Sequence, residues 1–276
     1  MPRNKGAAKK LARSGNPPCV YCGREAVEFD HYPPVSFFDD EDGDIWPEGF
    51  KFPSCRSCNN DSSLHDLIVA VLVRVGPGVE KDDVAFKRWS QLFTRLTKLH
   101  PKIAREMFES ENAEERRAET RAKFGAELSA LYVPPLAQRA IAIFAAKLTK
   151  ALHYIHSGKK RLAEGSSIRF RWYSNQSLFE GEGRTIPEGI AVMLGLSGPV
   201  KRETRNLKDQ FDYNYAMSAD GSIAIYYCFF RRSFAFISFA AIDGAVLERA
   251  VDKLRATIPT GTKDALERID WPNMPA

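Results

Sequence analysis

Two pairs of cysteines have the spacing of a metal-binding site. Two residues separate the cysteines of each pair, so both thiolates of one turn can reach the same ion. Prolines precede both pairs and a glycine follows the first, and such turn-rich flanks suit a metal-binding knuckle better than a buried strand. The alternative is four unrelated cysteines in the core. We predict a closed, structural Zn²⁺ site with four ligands: Cys19, Cys22, Cys55 and Cys58.

Three further residues could form a second, catalytic site. Asp30 and His31 lie between the two cysteine pairs, and Asn59 directly follows the last cysteine. A neutral imidazole titrates near physiological pH and can take a proton from water. A hard cation such as Mg²⁺ prefers oxygen ligands and keeps several waters. These side chains could therefore hold a divalent cation and activate water, provided that the fold brings them together.

The order of these motifs resembles that of the HNH endonucleases. The resemblance rests on the segment 28–36, which reads EFDHYPPVS, and on the segment 55–60, which reads CRSCNN. It implies a ββα-metal hairpin with His31 as the general base. It also implies that Asp30 and Asn59 bind Mg²⁺ or another divalent cation, which offsets the charge on the leaving oxygen. The implied activity is hydrolysis of DNA phosphodiester bonds, as in bacterial or phage defence nucleases.

The chain departs from the HNH pattern at one position. The family's middle Asn, which orients the general base from the second strand, has no counterpart here. Phe50, Lys51 and Phe52 stand where it is expected. A backbone carbonyl could hold the His31 tautomer instead. The alternative function is a catalytically degenerate, zinc-stabilised module that binds nucleic acid or protein.

Several cations could contact a nucleic-acid backbone. The net charge of +5 is modest and does not by itself indicate nucleic-acid binding. The first fourteen residues, however, carry cations and no acid, and such an arm could lie along phosphates. A disordered, solubilising tail is the alternative. The predicted nucleic-acid-binding residues are Lys5, Lys9, Lys10, Arg13, Lys51 and Arg56.

An acidic run over residues 39–42 should repel DNA if it lies near the site, and a solvated loop that points away is the alternative.

The pattern of apolar residues predicts an α+β protein with two domains. Residues 1–78 form the zinc-bound ββα module, with a strand ahead of Asp30, a return strand over 46–52 and a helix over 64–75. Residues 79–276 form a second domain of unknown role. It is helical to about residue 157, and period-two patterns then predict an antiparallel sheet over 168–173, 211–216, 223–230 and 234–240. A closing helix is expected over 245–256.

Composition narrows the remaining expectations. The 276 residues are 44% hydrophobic and 27% charged, as in an ordinary globular protein. No apolar run reaches the roughly 20 residues that cross a bilayer, so no membrane partner is expected. Cysteine use indicates a reducing cytoplasm. The apolar strands near residues 223–239 could also mediate a homo-oligomer. His65, His153 and His156 are further possible metal ligands, although an ordinary position on the helix surface is favoured for His65 and packing roles for the other two.

Overall fold

The computed structural model describes residues 6, 11, 13–39, 45–75, 83–124, 131–162, 166–175, 178, 194, 196–197, 200–231, 233–249 and 267–269. These residues form a mixture of helices and antiparallel sheets, in agreement with the α+β prediction.

The N-terminal part is built around a short antiparallel hairpin. Strand β1 (Glu28–His31) pairs with β2 (Lys51–Ser54), and a single turn of 3₁₀ helix (Val35–Phe37) lies in the connection. In this register Asp30 is opposite Phe52 and His31 is opposite Lys51. The return strand is shorter than predicted because residues 47–50 form a turn, with the Phe50 amide bonded to the Pro47 carbonyl and Gly49 at a φ of +82°.

Two helices follow the hairpin where the sequence predicts one. Helix α1 (Arg56–Asn60) contains the last cysteine and Asn59, and α2 (Ser63–Leu72) follows it. The Cys55 sulfur caps α1 by accepting a hydrogen bond from the Cys58 amide at 3.5 Å. Such a cap satisfies one of the unpaired amides at a helix start, so the second cysteine pair and Asn59 share one short, fixed element.

The middle of the chain is helical, as predicted. It contains α3 (Asp83–Leu99), α4 (Pro101–Phe108), α5 (Glu111–Phe124) and α6 (Pro135–His156). Prolines open α4 and α6, where their fixed φ suits the first helical position. Helix α6 is buried over most of its length, including at polar residues such as Lys147 and Thr149.

The C-terminal part contains an antiparallel sheet with the order β10-β3-β9-β8-β7-β4. Its strands are β3 (Ser167–Ser174), β4 (Leu196–Ser197), β7 (Asp212–Met217), β8 (Ile223–Phe230), β9 (Phe234–Ala241) and β10 (Glu267–Ile269). A separate small hairpin pairs β5 (Lys201–Arg202) with β6 (Arg205–Asn206). The four predicted strands are confirmed within a residue at each end, whereas β4, β5, β6 and β10 are too short to carry a pattern. The expected closing helix is present over 244–249, and its remainder lies outside the described residues.

Helix α6 lies between the hairpin and the sheet. The Phe144 ring contacts Tyr32 at a centroid distance of 5.4 Å and Phe37 at 4.9 Å on the hairpin side. On the sheet side it contacts Phe230 at 5.5 Å. One hydrophobic core therefore includes residues from both sides of the predicted domain boundary, and residue 78 itself lies outside the described residues. None of the helices in the described part of the chain is both long and apolar enough to cross a membrane.

Candidate metal centre

The four paired cysteines converge on one point. Their sulfur atoms all lie within 4.8 Å of one another, and those of Cys22 and Cys55 are 3.6 Å apart. None of the four forms a disulfide. Sulfur atoms that share a tetrahedral zinc with bonds of about 2.3 Å are separated by about 3.8 Å, so the spacing fits such an ion. The four residues can hold a structural metal such as Zn²⁺ with every position on the ion filled.

Two local structures hold the sulfur atoms in place. Cys19 and Cys22 lie in a tight loop in which the Cys19 amide bonds the Arg24 carbonyl at 2.7 Å and the Gly23 amide bonds the Cys19 carbonyl at 2.9 Å. Gly23 has a φ of +80°, and the Arg161 guanidinium occupies the space where a Cβ would project. The Val20 amide ties this loop to β2 through the Pro53 carbonyl at 2.9 Å. The other pair is carried by α1, so the hairpin joins both halves of the site.

Cations surround the thiolate cluster. Four thiolates and one Zn²⁺ carry a net charge of −2, which needs compensation in a largely buried place. Arg24 donates to the Cys22 sulfur at 3.4 Å, and the buried Lys150 ammonium donates to the Tyr21 carbonyl at 2.8 Å. Burial lowers the pKa of Lys150 to about 8, while the charges of Cys58, Cys22 and Cys19 oppose that shift. These cations favour the deprotonated sulfurs that a zinc ion requires.

Asp30 is paired with a lysine from helix α6. Its side chain is largely buried, and the Lys147 ammonium lies 2.9 Å from Asp30 Oδ2. Lys147 is itself fully buried and also donates to Ser62 Oγ at 2.7 Å. Its nitrogen lies over the rings of Tyr32 and Tyr21, 4.3 Å and 4.8 Å from their centroids. The ammonium therefore has an anion, a hydroxyl and two aromatic faces as partners.

A second carboxylate adjoins this ion pair. Asp66 on α2 accepts from Ser62 Oγ at 2.8 Å and from the Tyr32 hydroxyl at 3.0 Å. Burial raises the pKa of Asp66, and the Asp30 charge adds to this, while Lys147 opposes it. Asp30, Lys147, Ser62 and Asp66 thus form one connected polar network inside the protein.

His31 lies on the other face of β1 because successive strand residues alternate in direction. Its ring packs edge-on against Trp46 with a centroid distance of 4.6 Å. Its Nε2 is buried and has no hydrogen-bond partner among the described residues. Burial lowers the pKa of His31, and the positive charges of Lys51 and Arg202 lower it further. These effects outweigh the opposing charge of Asp30 and favour the neutral imidazole, which stands beside two cations.

Asn59 contacts β1 through Glu28, whereas the prediction has it share a cation with Asp30. Its side-chain amide donates to Glu28 Oε1 at 3.0 Å. Glu28 lies two residues before Asp30 and shares its face of the strand. The structure therefore places Asn59 on the Asp30 side of β1, while His31 projects from the opposite side.

The surroundings of Asp30 do not suit a divalent cation. Such an ion needs accessible carboxylate oxygens and room for several waters. Here the Asp30 carboxylate is largely buried and its charge is already balanced by Lys147. The second predicted ligand, Asn59, donates its Nδ2–H to Glu28, so its Oδ1 is the atom that would have to bind the ion. The catalytic Mg²⁺ therefore stays a prediction, and an ion on Asp30 Oδ2 would have to take the place of the Lys147 ammonium.

The predicted cationic residues have mixed outcomes. Lys51, Arg56 and Arg13 are exposed, and Lys51 adjoins His31. Lys5, Lys9 and Lys10 lie outside the described residues. Within the acidic run, Asp39 forms ion pairs with Arg74 and Arg231, and residues 40–42 lie outside the described residues.

Sequence reasoning missed two residues of this site. Lys147 lies three residues after Phe144 on the apolar face of α6, and a lysine in such a stripe is a signal for a buried charge. Arg202 lies on the β5–β6 hairpin with its guanidinium carbon 4.6 Å from the Trp46 ring centroid. Nothing in the sequence around Arg202 indicates that it reaches the first hairpin.

The other histidines serve packing in this structure. His65 is buried on α2, and burial together with the nearby Arg139 lowers its pKa. His156 stacks on Tyr215 and its Nε2 lies 2.9 Å from the Tyr213 hydroxyl. Only the four cysteines form a cluster of metal-ligating side chains among the described residues.

Comparison of the chain with protein-family models, with curated proteins and with solved structures gave no match.

Proposed function

We propose that this chain is a zinc-stabilised module that binds the phosphate backbone of DNA through the surface around His31, without hydrolysis by a cation on Asp30. The observation that carries this proposal is the pairing of Asp30 with the buried Lys147, at 2.9 Å, beside a separate cationic surface. That surface, which we call the His31 face, consists of His31, Trp46, Lys51 and Arg202.

The His31 face has the chemistry of a phosphate-binding surface. Lys51 is exposed, and the Arg202 guanidinium is held against the Trp46 ring, which reduces the entropy that it loses on binding an anion. Exposed Lys201 and Arg205 on the same small hairpin add positive charge, which the exposed Glu203 and Glu48 offset in part. The hairpin is fixed because the Glu48 amide donates to the Lys201 carbonyl at 2.8 Å and Glu48 Oε1 accepts from the Glu203 amide at 3.0 Å. Positive charge on a rigid surface is what backbone binding requires.

A metal-dependent HNH endonuclease is the second candidate, favoured by one observation on His31. Its imidazole is held neutral, and its buried Nε2 has no partner among the described residues. A neutral ring nitrogen can take a proton from an attacking water, which is the role of a general base. This candidate requires a cation site other than the one expected at Asp30 and Asn59.

The binding proposal is tested by the salt dependence of DNA affinity. Fluorescence anisotropy with a labelled duplex would be measured at several salt concentrations for the wild type, Lys51→Ala and Arg202→Ala. We expect each substitution to weaken binding and to reduce the slope of log K against log salt by about 0.9, the value for one phosphate neutralised. The matched control is Lys102→Ala, an exposed lysine on α4. Slopes that equal the control in both variants would refute the proposal.

A plasmid-nicking assay separates the two candidates. The zinc-loaded protein and His31→Ala would be incubated with DNA and Mg²⁺ or Mn²⁺. The binding module gives no nicking with either ion while anisotropy still shows bound DNA. Nicking by the wild type that His31→Ala abolishes would instead establish the endonuclease.

A further inference from the structure

The buried ammonium of Lys147 occupies the position that a cation would need in order to bind Asp30. It lies 2.9 Å from Asp30 Oδ2 and 2.7 Å from Ser62 Oγ. Ser62 Oγ in turn donates to Asp66 at 2.8 Å. One carboxylate and one hydroxyl thus contact a single positive charge that comes from a distant helix, and the hydroxyl links it to the second carboxylate, Asp66.

We propose that Lys147 is a built-in replacement for a divalent cation, and that its removal opens a metal site formed by Asp30, Asp66 and Ser62. This inference rests on the proposed function, a module that binds DNA without hydrolysing it. It gives the reason why Asp30 would bind no cation.

The charges of the network support this assignment. A buried charge without a partner costs several kcal/mol, so the Asp30 carboxylate needs a counter-ion in this place. Lys147 supplies that counter-ion as an ion pair, with its nitrogen 2.9 Å from Asp30 Oδ2. A divalent ion bound to the same oxygen would face the ammonium at close range in a poorly screened interior. The two cations therefore exclude each other.

The packing keeps Lys147 in place. Its side chain is fully buried, and its nitrogen lies over the Tyr32 and Tyr21 rings, which stabilise a cation. The Tyr32 hydroxyl donates to Asp66 at 3.0 Å, so the ring that faces the ammonium is itself held by the second carboxylate. These contacts hold the ammonium inside the protein, away from solvent.

The ligand set that remains after removal of Lys147 is that of a hard cation. Asp30 and Asp66 offer carboxylate oxygens and Ser62 offers a hydroxyl, and Mg²⁺ and Mn²⁺ both prefer such oxygens. Lys147→Ala also removes the methylene chain, which leaves room for an ion and its waters. Lys147→Met removes the charge but keeps most of the volume. Comparison of the two variants therefore separates the effect of the charge from that of the space.

The experiment measures Mn²⁺ binding by isothermal titration and by electron paramagnetic resonance in zinc-loaded protein. We expect Lys147→Ala to bind one Mn²⁺ at least about tenfold more tightly than the wild type, because two carboxylates then lack a counter-ion. Lys147→Met should gain less, since the thioether fills the space. The double variant Lys147→Ala, Asp30→Asn should lose the gain. Zinc content and circular dichroism would confirm that each variant is folded.

A second measurement on the wild type keeps the proposal testable if Lys147→Ala does not fold. Mn²⁺ binding by the wild type and by Asp30→Asn should be equal, because Asp30 holds no ion in either protein. Tighter Mn²⁺ binding by the wild type than by Asp30→Asn would overturn the proposal. So would a folded Lys147→Ala that gains no Mn²⁺. Either result leaves the DNA-binding test of Lys51 and Arg202 unaffected, so failure of the two proposals can be told apart.

Discussion

Arg74 and Asp39 form an ion pair of 2.8 Å although the arginine side chain is only 1% exposed. Arg74 follows helix α2, and Asp39 follows the 3₁₀ turn of the hairpin connection. Arg231, in the turn between β8 and β9, contacts the other oxygen of the same carboxylate at 2.6 Å. Gln210 accepts from the Asp39 amide at 2.7 Å. Asp39 therefore joins the N-terminal module to the C-terminal sheet.

Substitution of Asp39 is expected to be strongly destabilising. Burial, together with the charge of Arg231, lowers the pKa of Arg74 to about 10. The Asp39 carboxylate opposes this shift and thereby stabilises the charged guanidinium. Asp39→Asn leaves three arginines, Arg74, Arg231 and the more distant Arg88, around a neutral amide. It should lower the free energy of unfolding by about 3 kcal/mol or more. Urea denaturation measures the change.

The control for Asp39 is an exposed carboxylate in a similar pair. Asp212 lies 3.6 Å from Lys208, and both side chains are about one-third exposed. Because solvent screens such a pair, Asp212→Asn should change the free energy of unfolding by less than about 1 kcal/mol. Equal effects of the two substitutions would show that Asp39 has no special role.

The cysteine cluster predicts one tightly bound zinc per chain. Cys58→Ser should lose the ion and destabilise the hairpin, since a weaker ligand replaces a thiolate in a closed site. Cys228→Ser serves as the control, because Cys228 is buried in strand β8 and lies outside the cluster. Zinc released by a thiol-reactive reagent and detected with a chelating dye gives the stoichiometry. Zinc retained at full stoichiometry by Cys58→Ser would contradict the prediction.

The grouping of the four cysteines and the bounds of the main strands agree with the prediction, because both depend on local spacing. The cysteine pairs need only two turns, and β8 is predicted with its observed bounds from a period-two pattern. The neighbours of Asp30 and His31, in contrast, do not follow from local spacing. Lys147 and Arg202 reach the hairpin only through the packing of α6 and of the β5–β6 hairpin. Local patterns contain no information on such distant partners, so the catalytic interpretation of Asp30 could be weighed only with the fold in hand.

His153 on α6 should make the protein sensitive to acid. Burial lowers its pKa to about 4, and its Nδ1 has no hydrogen-bond partner in the described part of the chain. The unfolded chain takes up a proton near the ordinary pKa of 6.5, so the stability due to neutral His153 is present above pH 6.5 and is lost as the pH falls toward 4. From pH 7 to pH 5.5 this loss is about 1 kcal/mol.

His153→Gln removes this contribution, together with the effect of the His153 charge on the neighbouring His156. We expect the variant to lose about 1 kcal/mol less than the wild type between pH 7 and pH 5.5, in urea unfolding of zinc-loaded protein. The same loss in both proteins would show that His153 is not buried in its neutral form.

The basic N-terminal arm is expected to contribute to DNA affinity without contributing to the fold. Leu11 is buried, at 2% exposure, so a truncation should end before it. Replacement of Lys5, Lys9 and Lys10 by Gln removes three charges while preserving the length of the chain. Because each neutralised phosphate releases counterions, the slope of log K against log salt should fall by about 0.9 for every lysine that binds a phosphate, with zinc content and unfolding free energy unchanged. An unchanged slope would mean that the arm is a solubilising tail, and the His31 face would then have to account for the DNA affinity alone.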